Sequence, residues 1–223
     1  MHVEDSSSAS VNLSFLRMII KELKQTLSGV YEITPEAESA FFLRACYLHI
    51  VQEERLTKGE IFCDEEVEDI LNAALIYSAE VVAMSYLSRA EQCRSSLTVK
   101  LIKKGINKKC VEKALDYLES IGYLDDERFA GAWLRNRAIN HKEGRIRLGM
   151  ELANRGISRT VAKNALDDFF STYNEQELCR AALQKYLRQG SGQNRQKDKI
   201  YAFLQRSGFS AKEIRSVLDE QRF

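Results

Sequence analysis

The sequence predicts an all-α protein, a tandem array of three three-helix repeats that is elongated and carries a small N-terminal helix and β-ribbon extension. Three observations predict it. The segment Arg145–Asp167 (RIRLGMELANRGISRTVAKNALD) returns as Arg94–Asp116 and again as Lys197–Asp219. The glycines at its centre, Gly105, Gly156 and Gly208, stand 51 and 52 residues apart, a period that signals stacked copies of one supersecondary unit. One proline and 11 glycines in 223 residues fit helices joined by short turns.

Within the unit, Ile146, Leu148, Leu152 and Ile157, then Val161, Ala165 and Leu166, recur at three- and four-residue steps. Gly156 falls between the two helical runs, where a glycine takes a left-handed conformation without a Cβ penalty. Ser158 follows as an N-cap. The other copies match column by column: Leu97/Leu148/Ile200, Leu101/Leu152/Leu204, Ile106/Ile157/Phe209 and Asp116/Asp167/Asp219. Gly105, Gly156 and Gly208 are therefore structural.

Taken in order, residues 1–27 form a variable tail and helix. Residues 1–10 (MHVEDSSSAS) have a disordered composition, and Leu13–Leu27 aligns Leu16, Ile19, Ile20, Leu23 and Leu27 on one helical face. Residues 28–77 form an extension. Ser28–Thr34 and Ala40–Ala45 flank Pro35 and are rich in β-branched and aromatic residues, which predicts an antiparallel ribbon. A helix over Cys46–Arg55 closes at Lys58 and Gly59, and Asp64 caps another that runs through Ile70, Leu71 and Leu75. The repeats occupy 78–122, 123–172 and 173–223. Each opens with a further helix: Ser78–Arg89, Asp126–Ala138 and Glu175–Arg188. Asp125 caps the second of these, with Asp126 and Glu127 in its first turn where the dipole favours acids. Asn140–Gly144 connects helices in repeat two, and Gln189–Asn194 (QGSGQN) in repeat three is the predicted hinge.

Charge is uneven. Residues 1–82 hold 6 Lys/Arg against 15 Asp/Glu; residues 83–170 hold 17 against 11, and 171–223 hold 10 against 6. An acidic head on a basic body points to an anionic partner for the repeats. No run approaches the roughly 18 apolar residues of a membrane span, and no signal-peptide layout opens the chain, so a soluble, cytoplasmic protein without membrane contact is expected. Cys46, Cys63, Cys93, Cys110 and Cys179 include no CxxC pair and are expected to be reduced thiols.

Catalysis needs converging titratable groups, a nucleophile with its base, or a phosphate cradle. GxGxxG, GxxxxGK[ST], HExxH and GxSxG are all absent, so no catalytic, metal or cofactor site is predicted. The pair Asp125–Asp126 reads as a helix start. The candidate surface is basic: Arg89, Arg94, Lys100, Lys103 and Lys104 in repeat one, and Arg135, Arg137, Arg145, Arg147 and Arg155 in repeat two. Such groups suit phosphates or an acidic protein face. Arg145 and Arg147 point about 200° apart on their helix, so only one faces a given surface. Arg145 shares its column with Arg94 and Lys197, which makes it the preferred contact. Trp133 is expected to pack inside its bundle. A rival reading is open, because ELANRGISRTVAKNAL has the layout of a helix-turn-helix DNA reader. The unlike exposed residues after the cap (Lys108-Lys109, Arg159-Thr160, Ala211-Lys212) favour scaffold over base reading.

These residues resemble the RecX family, small bacterial regulators of the RecA recombinase. The matching pieces are Ala83–Arg89 (AMSYLSR), Arg94–Leu97 with Leu101, Ile121–Asp126 (IGYLDD), Arg128-Phe129-Ala130, Gly144, and Leu152–Ile157 (LANRGI). The resemblance runs from about Tyr31 to the C-terminus. It implies a non-catalytic, cofactor-free monomer of three three-helix modules that lies along a RecA–DNA filament, with single- or double-stranded DNA phosphates as a further candidate contact. There it would inhibit ATP hydrolysis and strand exchange, with roles in recombination, DNA repair and the SOS response.

Overall fold

A computed structural model describes residues 17–188 and 197–220. The predicted tail over residues 1–10 and the predicted hinge at Gln189–Asn194 lie outside them. The chain divides into two compact units, Met1–Val81 and Val82–Phe223.

The first unit holds a four-stranded antiparallel sheet in the order β3-β2-β1-β4: β1 Met18–Leu27, β2 Val30–Pro35, β3 Phe41–Arg44 and β4 Ile61–Phe62. The predicted ribbon is β2 with β3, joined in register from Val30–Arg44 to Ile33–Phe41. The predicted helix over Leu13–Leu27 is instead a strand where it is described. β1 turns into β2 through Gly29 at φ +69°, and its start pairs with β4 at Met18–Phe62 and Ile19–Ile61. Met18 and Ile20 are buried and alternate with Ile19, a period of two fixed by a partner some forty residues away.

The predicted helix over Cys46–Arg55 is also absent; two single 3-10 turns, Ala45–Tyr47 and Glu53–Arg55, stand in its place. Between them the N–H groups of His49, Ile50 and Val51 donate to the buried carboxylate of Asp69 at 2.8–3.1 Å rather than to helical carbonyls. Burial acts to raise the pKa of Asp69, and the three N–H donors outweigh it, leaving the group below its ordinary value. Arg44 and the Tyr47 hydroxyl both donate to Glu80, which anchors the end of β3.

Asp69 and Glu80 belong to one 24-residue helix, α1 Asp64–Leu87. Two helices were expected here, with a break before Ser78. The Ser78 hydroxyl donates to Leu75 O at 2.8 Å within the helix, so it stops nothing. Cys63, not Asp64, takes the cap position: its carbonyl accepts from Val67, and its N–H donates to Glu66 at 3.1 Å. By length and composition α1 is apolar enough to cross a membrane, contrary to expectation. Its buried residues Val67, Ile70, Ala73, Ile76 and Ala79 recur at three-residue steps, as in a core helix.

The second unit contains the end of α1 and eight further helices among the described residues. These are α2 Arg94–Lys103, α3 Lys108–Ser120, α4 Asp126–Asn140, α5 Arg145–Asn154, α6 Arg159–Thr172, α7 Glu175–Arg188, α8 Lys197–Arg206 and α9 Ala211–Glu220. They close three small cores. Leu97, Leu101 and Leu115 are buried in the first, Leu148, Leu152 and Leu166 in the second, and Ile200, Leu204 and Leu218 in the third. At each corner the glycine has positive φ: Gly105 at +83°, Gly156 at +80° and Gly208 at +90°. The next residue donates back to the helix, Ile106 to Leu101, Ile157 to Leu152 and Phe209 to Leu204. That is one Schellman closure made three times.

Candidate partner-binding face

Where two helix triplets meet, the start of one triplet's middle helix rests on the glycine corner of the next. α2 and α5 both begin with an arginine, a poor residue for a helix N-terminus. The next triplet corrects this. Asp126 accepts the Arg94 N–H at 2.8 Å, and Glu175 accepts the Arg145 N–H at 2.8 Å. Asp125 meanwhile caps its own helix, accepting from Glu127 and Arg128. The two adjacent aspartates thus serve two different helices.

The same contact explains the GYLDD…RFA segment. Gly122 has φ +75°, Leu124 is buried, and Arg128 donates to the carbonyls of Gly122 and Tyr123 and to Glu91. Phe129 and Ala130 then enter the second core. The whole segment is a clasp between triplets.

The preferred contact column proves to be paired within its own triplets. Arg94 donates to Asp116 and Glu119, both at 2.6 Å; Arg145 donates to Asp167 at 2.5 Å and lies 4.7 Å from the Phe170 ring centre. In the first two repeats the recurring aspartate at the end is therefore the partner of the recurring arginine at the start. Arg137 and Arg147 both donate to Glu143, which is buried just before Gly144. Arg155 pairs with Glu151 and lies 4.5 Å from the ring centre of Trp133, which is half-buried against the second core. Lys100 donates to Gln92 at 2.5 Å, and Lys100 and Lys104 both approach the Tyr86 ring. Arg89 and Arg135 are exposed, and neither has an ion pair among the described residues.

Two grooves open at the triplet junctions. The first, of about 440 Å³, runs between α2 and the Asn154-Arg155 corner; the second, of about 320 Å³, runs between α5 and the Gln205-Arg206 corner. Ser96, Val99 and Lys103 line the first, and Arg147, Met150 and Asn154, each 51 residues on, line the second. Asn154 belongs to both. Val99 is 50% exposed and Met150 63%. Of the predicted contacts, Lys100, Lys103, Arg147 and Arg155 reach these grooves, while Arg94 and Arg145 do not. Val99, Met150 and Arg206 were not predicted. For Val99 and Met150 the signal was an exposed apolar residue at an equivalent position in two repeats, outside the core spacing.

Cys93, Cys110 and Cys179 are buried, Cys46 and Cys63 are exposed, and none of the five forms a disulfide. Burial, with Glu213 and Glu175 nearby, pushes Cys179 up to about 12. No cluster of three or more metal-ligating side chains occurs among the described residues.

Family models match twice: "RecX, second three-helix domain" over residues 125–166, and "RecX, third three-helix domain" over residues 174–218. Regulatory protein RecX of Treponema pallidum (strain Nichols) is 38% identical over 155 residues, covering 70% of this chain and 92% of the relative. Regulatory protein RecX of Chlorobium phaeobacteroides (strain BS1) is 29% identical over 140 residues, covering 62% and 90%. A crystal structure of regulatory protein RecX shares the fold, with a TM-score of 0.73 at 22% identity over 91% of this chain and 99% of that one. The structure of RecX from Lactobacillus salivarius superposes with a TM-score of 0.57 at 21% identity, covering 66% and 96%.

Proposed function

This chain belongs to the RecX family, and we propose that it is a non-catalytic regulator that binds the RecA–DNA filament and inhibits recombinase ATP hydrolysis and strand exchange. The observation that carries this reading is the 38% identity spanning 92% of a relative named as a regulatory protein. The three helix triplets act as one elongated tandem array, a form that offers an extended contact surface to a polymer. The protein works as a monomer in the cytoplasm, in recombination and DNA repair. The basic excess of residues 83–223 supports an anionic partner.

The test is direct. Purified protein is added to RecA filaments on single-stranded DNA, and co-sedimentation and the RecA ATPase rate are followed. Binding with slowed hydrolysis is expected, and the protein alone should turn over no ATP. Failure to bind the filament, with tight sequence-selective binding to bare duplex, would instead make it an autonomous helix-turn-helix DNA binder.

A further inference from the structure

We infer that the two junction grooves are equivalent docking sites for two copies of one protein segment, an acidic residue beside an apolar one, offered by neighbouring subunits of a polymeric partner. The inference rests on the filament-binding reading and assigns that binding to particular residues.

Equivalence comes first. The grooves use the same positions of α2 and α5, each closed by the corner of the following triplet, and Asn154 lines both. A surface that repeats along one chain is matched by a partner that repeats as well. A filament of identical subunits presents the same segment at every step.

The chemistry of the occupant follows from what is free in each groove. Arg155 is paired with Glu151, and Arg147 with Glu143, so these charges are already met. Lys103 in the first groove and Arg206 in the second have no ion-pair partner among the described residues. Each stands with exposed apolar surface, Val99 in the first groove and Met150 with Ile146 in the second. A carboxylate answers the cation and an apolar side chain covers the Val or Met. A nucleic-acid backbone would answer the cation and leave the apolar residue in water.

The experiment uses the full chain, labelled, with RecA filaments assembled on single-stranded DNA with a slowly hydrolysed ATP analogue. Affinity is measured for the wild type, Val99→Glu, Met150→Glu and the double variant, with bare single-stranded DNA in parallel. Each single substitution should weaken filament binding about tenfold, and the double about a hundredfold, since separated sites add in free energy. Both residues are exposed, so the melting temperature should stay put, and bare-DNA binding should not follow the same pattern. Normal filament binding by either single variant overturns the inference while leaving the proposed function standing. Equal losses on bare DNA show that the grooves hold phosphate backbone, which also overturns it. A wild type that ignores the filament removes both readings together.

Discussion

The two triplet junctions obey one rule and are built from different atoms. In both, a carboxylate from the following triplet accepts the first N–H of the preceding middle helix, at 2.8 Å. At the first junction the remaining contact is made by side chains. The Cys93 thiol donates to Arg155 O at 3.4 Å, and burial, which raises its pKa, keeps it the neutral donor. A Cβ at Gly156 would lie 2.5 Å from the Ser95 side chain. At the second junction backbone meets backbone. Gly144 N–H donates to Ser207 O at 2.9 Å and Ile146 N–H to Gly208 O at 3.1 Å, with Gly144 and Gly208 packed against main chain. A register can thus be held by side chains that admit substitution or by glycines that do not.

The largest effect should come from adding a Cβ. At Gly144 or Gly208 it would overlap backbone, so alanine there must separate the triplets or bend a helix start. Gly208 adds a left-handed φ to that clash. Unfolding measurements should show losses of about 3 kcal/mol or more for either alanine, with no rescue from a neighbouring substitution. Gly156→Ala should cost less and be partly rescued by Ser95→Gly. Gly105→Ala meets nothing within 4 Å and should cost only the left-handed penalty, about 1–2 kcal/mol. Equal losses at Gly105 and Gly208 would erase the distinction between a corner and a junction.

The arginine columns come next. Arg94 holds two acids, and Arg145 holds one and stacks on Phe170. These pairs are partly exposed, so Arg94→Glu with Arg145→Glu should lower the melting temperature by roughly 2–8 °C, less at high salt. An unchanged melting temperature would mean that the pairs contribute nothing and that the column is free for a partner.

The helix triplets were legible because their cores depend on contacts within about fifty residues, which print an apolar three-four spacing and a glycine into the chain. In the N-terminal unit only the β2–β3 ribbon was legible; β1 was not, since nothing near Met18 or Ile20 announces Phe62 or Ile61. Likewise nothing between Cys46 and Arg55 reveals that Asp69 will take three of their N–H groups. In the candidate site, the recurrence of Arg94 and Arg145 was visible and its meaning was not. The partners Asp116 and Asp167 recur in the same repeats and were read only as alignment columns.

A smaller effect separates the junctions by pH. Glu175 is half-buried beside Glu213; burial raises its pKa first, the neighbouring carboxylate adds to this, and the Arg145 N–H opposes it. A carboxyl raised in the folded state stabilises fully below its ordinary value near 4.5 and loses that contribution as pH climbs through the raised one. Glu175→Gln should therefore flatten the fall of melting temperature between acid and neutral pH, and modestly raise it at neutral pH. A variant whose pH profile matches the wild type would exclude Glu175 as the source.

The rule shared by both junctions can be read amide by amide by native-state hydrogen exchange. First-turn helix N–H groups ordinarily lack partners and exchange readily. Here the Arg94 and Arg145 amides should be protected. Asp126→Ala should speed Arg94 exchange about tenfold or more and leave Arg145 alone, and Glu175→Ala should do the reverse, with the core amide of Leu101 unchanged in both. Unprotected Arg94 and Arg145 amides in the wild type, or substitutions that speed neither, would contradict the account of how one triplet caps the last.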